Sequence, residues 1–256
     1  MDAKTGFVTQ IGMEYGEAFE IADDLGFDYV ELMMDSATER QHLDPDAVRA
    51  SADDCGLDLA VHLPFALDIG SPFEHVRGGA IREVQAAVET ASAFGATKGV
   101  LHASSSAWKP AWDAEIIGSN VVRSVREIDE FADELGFEIC VENIPDGWFT
   151  IHDFDRIFEE TDASMTLDTG HARIDGLDSG GTASFVGRHG DRISHFHLND
   201  TRRAKDEHLP FGSGTIDFRE IFAALPDGWN GTLSLEVFTL DYGYIETSKA
   251  YLDTLL

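Results

Sequence analysis

Apolar positions along this chain follow two alternating rhythms. Short runs rich in Val, Ile, Leu, Phe and Thr give way to longer stretches in which apolar residues return every three or four positions. These are the signatures of a strand and of an amphipathic helix. The strand pattern falls at 6–10, 29–33, 57–63, 99–102, 138–143, 164–168, 193–198 and 232–238. The helical pattern falls at 15–25, 45–55, 79–94, 115–135, 151–160, 182–189, 217–224 and 242–256. Leu25-Gly26-Phe27, Cys55-Gly56-Leu57 and Leu135-Gly136-Phe137 place a glycine stop between helix and strand. Asp44-Pro45 and Asp217 read as helix starts.

Eight strand-helix units without a linker or low-complexity segment predict a closed (β/α)8 TIM barrel, an α/β fold occupying residues 1–256 as a single domain. An open doubly wound sheet would carry a Gly-rich phosphate loop after its first strand, and none stands there.

Composition then narrows the setting. A hydrophobic content of 43% suffices for a full core, and no apolar run approaches the ~20 residues that cross a bilayer. The start, MDAKTGFVTQIG, has no basic segment followed by a long apolar stretch, so no signal peptide is expected. Cys55 and Cys140 fall in different elements and no CxxC occurs, which predicts a reducing, cytoplasmic home. The formal charge of −30, from 48 acidic against 18 basic residues, is spread along the chain and reads as a halophilic surface. Concentrated salt would screen that charge, so it does not by itself exclude DNA as a partner.

In a barrel the carboxyl ends of the strands converge on one face, so polar residues there carry the chemistry. Strand two ends near Glu31, strand three at His62, strand four at His102 and strand five at Glu142-Asn143. Strand six ends at Asp168 with His171 just beyond, strand seven at His197 with Asp206 and His208 in its loop, and strand eight carries Glu236. His195 alternates with His197 along strand seven, so both can point inward. Of the two, His197 lies nearer the end. His42, His75, His152 and His189 fall in helices or loops and receive no role.

A ring of imidazoles and carboxylates would be repulsive and poorly solvated without divalent cations. The metal set is His62, His102, Glu142, Asp168, His171, His197, Asp206, His208 and Glu236. Nitrogen and oxygen donors without thiolate suit Zn²⁺ or Mn²⁺, and the number of donors leaves room for one to three ions. Trp108 and Trp148 follow strands four and five and are positioned to wall a pocket. The Gly212-Ser213-Gly214 turn offers backbone amides to an anion or is simply a tight loop.

The segments VHLPFALDIGSP around His62, CVENIP around Glu142, TLDTGH with Asp168 and His171, HLND at 197–200, DEHLPFGSGTIDF from Asp206 and the late SLE together resemble the xylose isomerase-like TIM barrels. That superfamily holds sugar phosphate isomerases and epimerases and the endonuclease IV (AP endonuclease family 2) enzymes. For the isomerases the resemblance implies one metal on Glu142, Asp168, His197 and Glu236, with Glu142 and Glu236 as catalytic carboxylates shuttling a proton through an enediolate. It also implies that His171 and Arg203 orient substrate oxygens. For endonuclease IV it implies a trinuclear zinc cluster on all nine residues of the metal set.

The chain departs from the nuclease pattern at Phe65 and Asp68, where that family has Tyr and Asn, at Gly170, where it has Cys, and in the spacing of TRRAK at 201–205. The expectation is therefore a metal-dependent sugar or sugar phosphate isomerase or epimerase with a small-molecule partner and no membrane. A zinc-dependent AP endonuclease acting on DNA is the alternative.

Overall fold

The computed structural model describes residues 3–203, 205–239 and 241–256. Eight parallel strands close into a barrel in chain order: β1 Lys4–Val8, β2 Tyr29–Met33, β3 Asp58–His62, β4 Lys98–His102, β5 Glu138–Glu142, β6 Ser164–Asp168, β7 Ile193–Leu198 and β8 Thr232–Leu235. Pairing of β1 with both β2 and β8 completes the ring. The expected (β/α)8 barrel is what the chain forms.

Around it run α1 Tyr15–Leu25, α2 Pro45–Cys55, α3 Glu74–Ala93, α4 Ala114–Asp133, α5 Phe154–Glu160, α6 Thr169–Ile174, α7 Ser179–His189, α8 Phe218–Phe222 and α9 Gly243–Asp253. Outward strand residues such as Leu32, Val61, Leu101, Ile139, Leu167, Phe196 and Leu235 are buried in one core shared with helix residues such as Phe19, Val84, Val125 and Phe185. Gly26 and Gly56 end α1 and α2 at φ 68°, the left-handed conformation that a glycine adopts without a Cβ clash. Asp44 caps α2, accepting from Asp46 N at 3.1 Å ahead of Pro45.

Element ends differ from the sequence reading where local contacts intervene. The expected strand at 232–238 stops at Leu235, yet Glu236 N still donates to Leu198 O at 3.0 Å, which holds Glu236 against β7. The extra short helix α6 forms because the Asp168 side chain accepts from His171 N at 2.6 Å. Between β6 and β7 the register slips, Met165 pairing with Ile193 and Thr166 with His195, so Ser194 is one extra residue. Among the described residues no helix is long and apolar enough to cross a membrane.

Candidate metal centre and active site

All nine expected metal-set residues meet at the carboxyl end of the barrel. His62, His102, Glu142 and Asp168 close β3, β4, β5 and β6, His197 stands near the end of β7, and Glu236 directly follows β8. His171 comes from the first turns of α6, and Asp206 and His208 reach over from the loop after β7. Glu142, Asp168, His197 and Glu236 offer ligand atoms within 4.8 Å of one another, and all four are buried. Nδ1 of His197 lies 3.3 Å from Glu142 Oε1 and 3.3 Å from Glu236 Oε2.

Two further groups flank these four. On one side His62 Nε2 and His102 Nε2 are 3.2 Å apart, and His102 Nε2 is 2.8 Å from Glu142 Oε2. His62 Nδ1 lies 2.9 Å from Leu63 O, so the proton belongs on Nδ1 and the Nε2 lone pair faces the cluster. On the other side His171 Nε2 and His208 Nδ1 approach Asp206 at 3.2 Å each, and His208 Nε2 is 3.1 Å from Glu236 Oε2. His171 Nδ1 is 2.9 Å from Asn143 O, which fixes that ring in the same manner. Asn199 Nδ2 donates to Asp168 Oδ2 at 2.7 Å and steadies the carboxylate.

Electrostatics shows how the cluster holds its charge. Burial works against ionisation of Glu142, but His197 and His102 outweigh it and hold the carboxyl well below the usual range. Glu236 behaves alike, burial being overcome by His197 and His208. Burial and the neighbouring Glu236 and Glu142 push Asp168 up to about 7, against the pull of His171. His208, despite burial, is raised to about 9 by Glu236, Asp168 and Asp206. His197 and His171 also rise well above the ordinary imidazole value, their carboxylate partners overcoming burial.

The donor set fits a divalent cation. Glu142 Oε2 is buried without a hydrogen-bond partner among the described residues, although it lies in contact with His102 Nε2. A buried carboxylate oxygen crowded by two imidazole nitrogens, His102 Nε2 at 2.8 Å and His62 Nε2 at 3.7 Å, is costly unless a proton or a cation lies between them. Above the cluster opens a cavity of about 350 Å³, walled on its apolar side by Ile11, Phe65, Ile144, Pro145 and Phe238.

Other sequence candidates fall elsewhere. Trp108 is 72% exposed and lines, with Trp148 and Lys109, a separate surface depression. The aromatic walls of the pocket are Phe65 and Phe238 instead. Arg203 is exposed, with φ 76°, and is not among the residues lining the pocket. The Gly212-Ser213-Gly214 turn does not offer its Gly214 amide to an anion. Asp200 takes that amide at 2.7 Å and Ile216 N at 3.1 Å. His42, His152 and His189 bond locally, to Ser36 O, Asp175 O and Asp155, away from the site.

The sequence reading passed over one contributor. Glu31, fully buried, lies 3.0 Å from Nε2 of both His195 and His197. The strand expected to end near Glu31 runs on to Met33, so Glu31 stands mid-strand, and its pairing with residues more than 160 positions away was not legible. Gly170 also gains a reason: a Cβ there would collide with Asn199, the partner of Asp168.

Residues 19–255 match the family model described as xylose isomerase-like TIM barrel. Two uncharacterized proteins of Methanocaldococcus jannaschii are similar. MJ1311 is 30% identical over 194 residues, 70% of this chain and 64% of its own length, and MJ1614 is 28% identical over 166 residues, 63% of each. The chain thus spans somewhat under two thirds of the curated relatives it matches. Among solved structures, a D-tagatose 3-epimerase-like protein superposes with a TM-score of 0.86 at 25% identity, covering 98% of this chain and 96% of that one. D-psicose 3-epimerase from Clostridium cellulolyticum H10, crystallised with D-tagatose, has a TM-score of 0.82 at 20% identity over 98% of both chains and shares the fold. With its closed eight-strand barrel and a family match running from α1 to α9, this chain belongs to the xylose isomerase-like TIM barrel family.

Proposed function

We propose that the protein is a divalent-metal-dependent isomerase or epimerase acting on a small sugar or sugar phosphate. The observation that carries the reading is the buried group Glu142, Asp168, His197 and Glu236, gathered beneath a pocket at the small end of the range for ligand sites. The epimerase-like neighbours described above support it. Mn²⁺ or Zn²⁺ would be held by those four side chains and would polarise a carbonyl and its neighbouring hydroxyl.

The chain's own groups then have distinct tasks. Glu142 and Glu236 come from strands β5 and from the end of β8, three strands apart around the barrel, and each reaches His197 Nδ1 at 3.3 Å. In an enediolate-type transfer ionised Glu142 would take the carbon-bound proton, and Glu236 would return one only after receiving it from its neighbour His208, whose Nε2 lies 3.1 Å from Glu236 Oε2. His171, its Nδ1 fixed by Asn143 O and its Nε2 3.2 Å from Asp206, lines the pocket together with Asp206, where the pair would orient a substrate oxygen. Phe65, Phe238 and Ile11 form the apolar rim of the pocket, which a bound substrate would cover to shield the reacting carbon from water. Arg203, Trp108 and Trp148, outside the pocket, have no task in this scheme.

One observation favours a second reading. His62 and His102 beside Glu142, and Asp206 and His208 beside His171, complete a set large enough for three ions and for phosphodiester hydrolysis. Against it, no Lys or Arg lines the pocket among the described residues, whereas a phosphodiester face needs cations. Metal analysis of protein purified in high salt separates the two. About one firmly held ion per chain is expected, and about three ions together with cleavage of an abasic duplex would overturn the proposal.

A further inference from the structure

We propose that Glu31 is a positioning residue, buried under the metal centre, that fixes which nitrogen of His197 faces the cation. The inference rests on the reading that a cation occupies the Glu142, Asp168, His197 and Glu236 group. Glu31 sits in the middle of β2 with its side chain inside the barrel and 0% exposed. Its Oε1 lies 3.0 Å from His197 Nε2, and its Oε2 lies 3.0 Å from His195 Nε2. Ser234 Oγ donates to Oε2 at 2.5 Å and is itself 2.8 Å from Tyr29 Oη. Both oxygens of Glu31 thus face hydrogen-bonding groups, two imidazole nitrogens and the Ser234 hydroxyl, so the side chain serves as their shared acceptor.

An acceptor-only partner dictates the protons around it. Both Nε2 atoms must carry hydrogen, since two facing lone pairs would repel. For His195 this leaves Nδ1 to accept from Thr232 Oγ1, and the 2.6 Å contact there agrees. For His197 it leaves Nδ1 toward Glu142 and Glu236, at 3.3 Å from each. A flipped His197 ring would put a carbon against a buried carboxylate, which locks its orientation as well as its tautomer. The same lone pairs of Glu31 could instead join His195 and His197 around a deeper ion. The two existing hydrogen bonds to Nε2 occupy those lone pairs, so the structure favours the positioning role.

The test uses Zn²⁺ as the probe on protein labelled with ¹⁵N at histidine. Long-range proton-nitrogen spectra of the Zn²⁺-loaded wild type are expected to show His197 with the metal on Nδ1 and the proton on Nε2. Chelator competition should show Glu31→Gln binding Zn²⁺ about 10- to 100-fold more weakly. Ser234→Ala, which touches Glu31 but spares both imidazole bonds, should stay within about threefold, and circular dichroism would report whether each variant folds. Metal on Nε2 in the wild type, undiminished affinity in Glu31→Gln, or an equal loss in Ser234→Ala would each overturn the role of Glu31. If Glu31→Gln does not fold, the wild-type nitrogen assignment decides. A wild type that binds no Zn²⁺ would instead overturn the cation reading beneath it.

Discussion

Glu142 meets four imidazoles of the centre through its two oxygens, His197, His171, His102 and His62 at 3.3, 3.2, 2.8 and 3.7 Å. Without a cation the cluster balances its carboxylates by protonating imidazoles, which is why His171, His197 and His208 rise above the ordinary value. A cation can use an imidazole only after that proton leaves. Binding should therefore release protons and weaken as pH falls, by about tenfold per pH unit for each proton released. With Asp168 at about 7 and His208 at about 9, the loss of affinity should set in as pH falls through about 9 and steepen below about 7, where both groups carry protons. Calorimetry of Mn²⁺ binding in buffers of different ionisation enthalpy measures the release, and an enthalpy independent of buffer would contradict it. The nine candidate ligands were legible in the sequence because each stands at or beyond a strand end. The network below them was not. Glu31 and His195 look like ordinary strand residues until closure of the barrel brings β2 and β7 face to face.

At the scale of elements, the strands and most helices followed from periodicity, and the misses have local causes. A six-residue helix such as α6 has too few turns for a periodic signal, and its start is set by one carboxylate, Asp168, that also belongs to the candidate metal group. The loop after β7 is organised by Asp200, whose carboxylate accepts from the backbone N–H groups of Thr201, Gly214 and Ile216, a contact pattern that no spacing announces. Helix α4 illustrates the opposite situation, a strain that is readable as Asp129 and Asp133 one turn apart. Burial, then the charges of Asp133 and Asp162, push Asp129 from 3.8 up to about 6, with Arg192 pulling back. The folded state thus binds this proton more tightly than the unfolded chain. Its stabilising contribution is complete below about 4 and is lost as pH rises through about 6. Asp129→Asn should raise the unfolding free energy at pH 7 to 8 by about 1 kcal/mol after allowance for solvent screening, and flatten the pH dependence between 4 and 6. Denaturant titrations across that range check it. A variant that is less stable at pH 8 would contradict the assignment.

Across the whole molecule, a closed barrel collects residues from six strands or strand ends, one short helix and one loop onto one face, and the formal charge of −30 gives the molecule a field that attracts cations. The fold class was legible because eight repeats of one unit fit only a few architectures. The reaction was not, because the same nine ligands serve two chemistries and the choice depends on the pocket above them. That pocket is apolar on one side, lacks Lys and Arg among its described lining residues and encloses about 350 Å³. The central claim is that Glu142 and Glu236 move a carbon-bound proton of a small sugar. Proton NMR in deuterium oxide, with Mn²⁺-loaded protein and a panel of ketoses and their phosphates, tests it most directly. The account predicts deuterium appearing at a carbon next to the carbonyl of at least one sugar, with the rate falling at least about 100-fold in Glu142→Gln. No exchange in any sugar of the panel, alongside cleavage of an abasic duplex by the same protein, would contradict it.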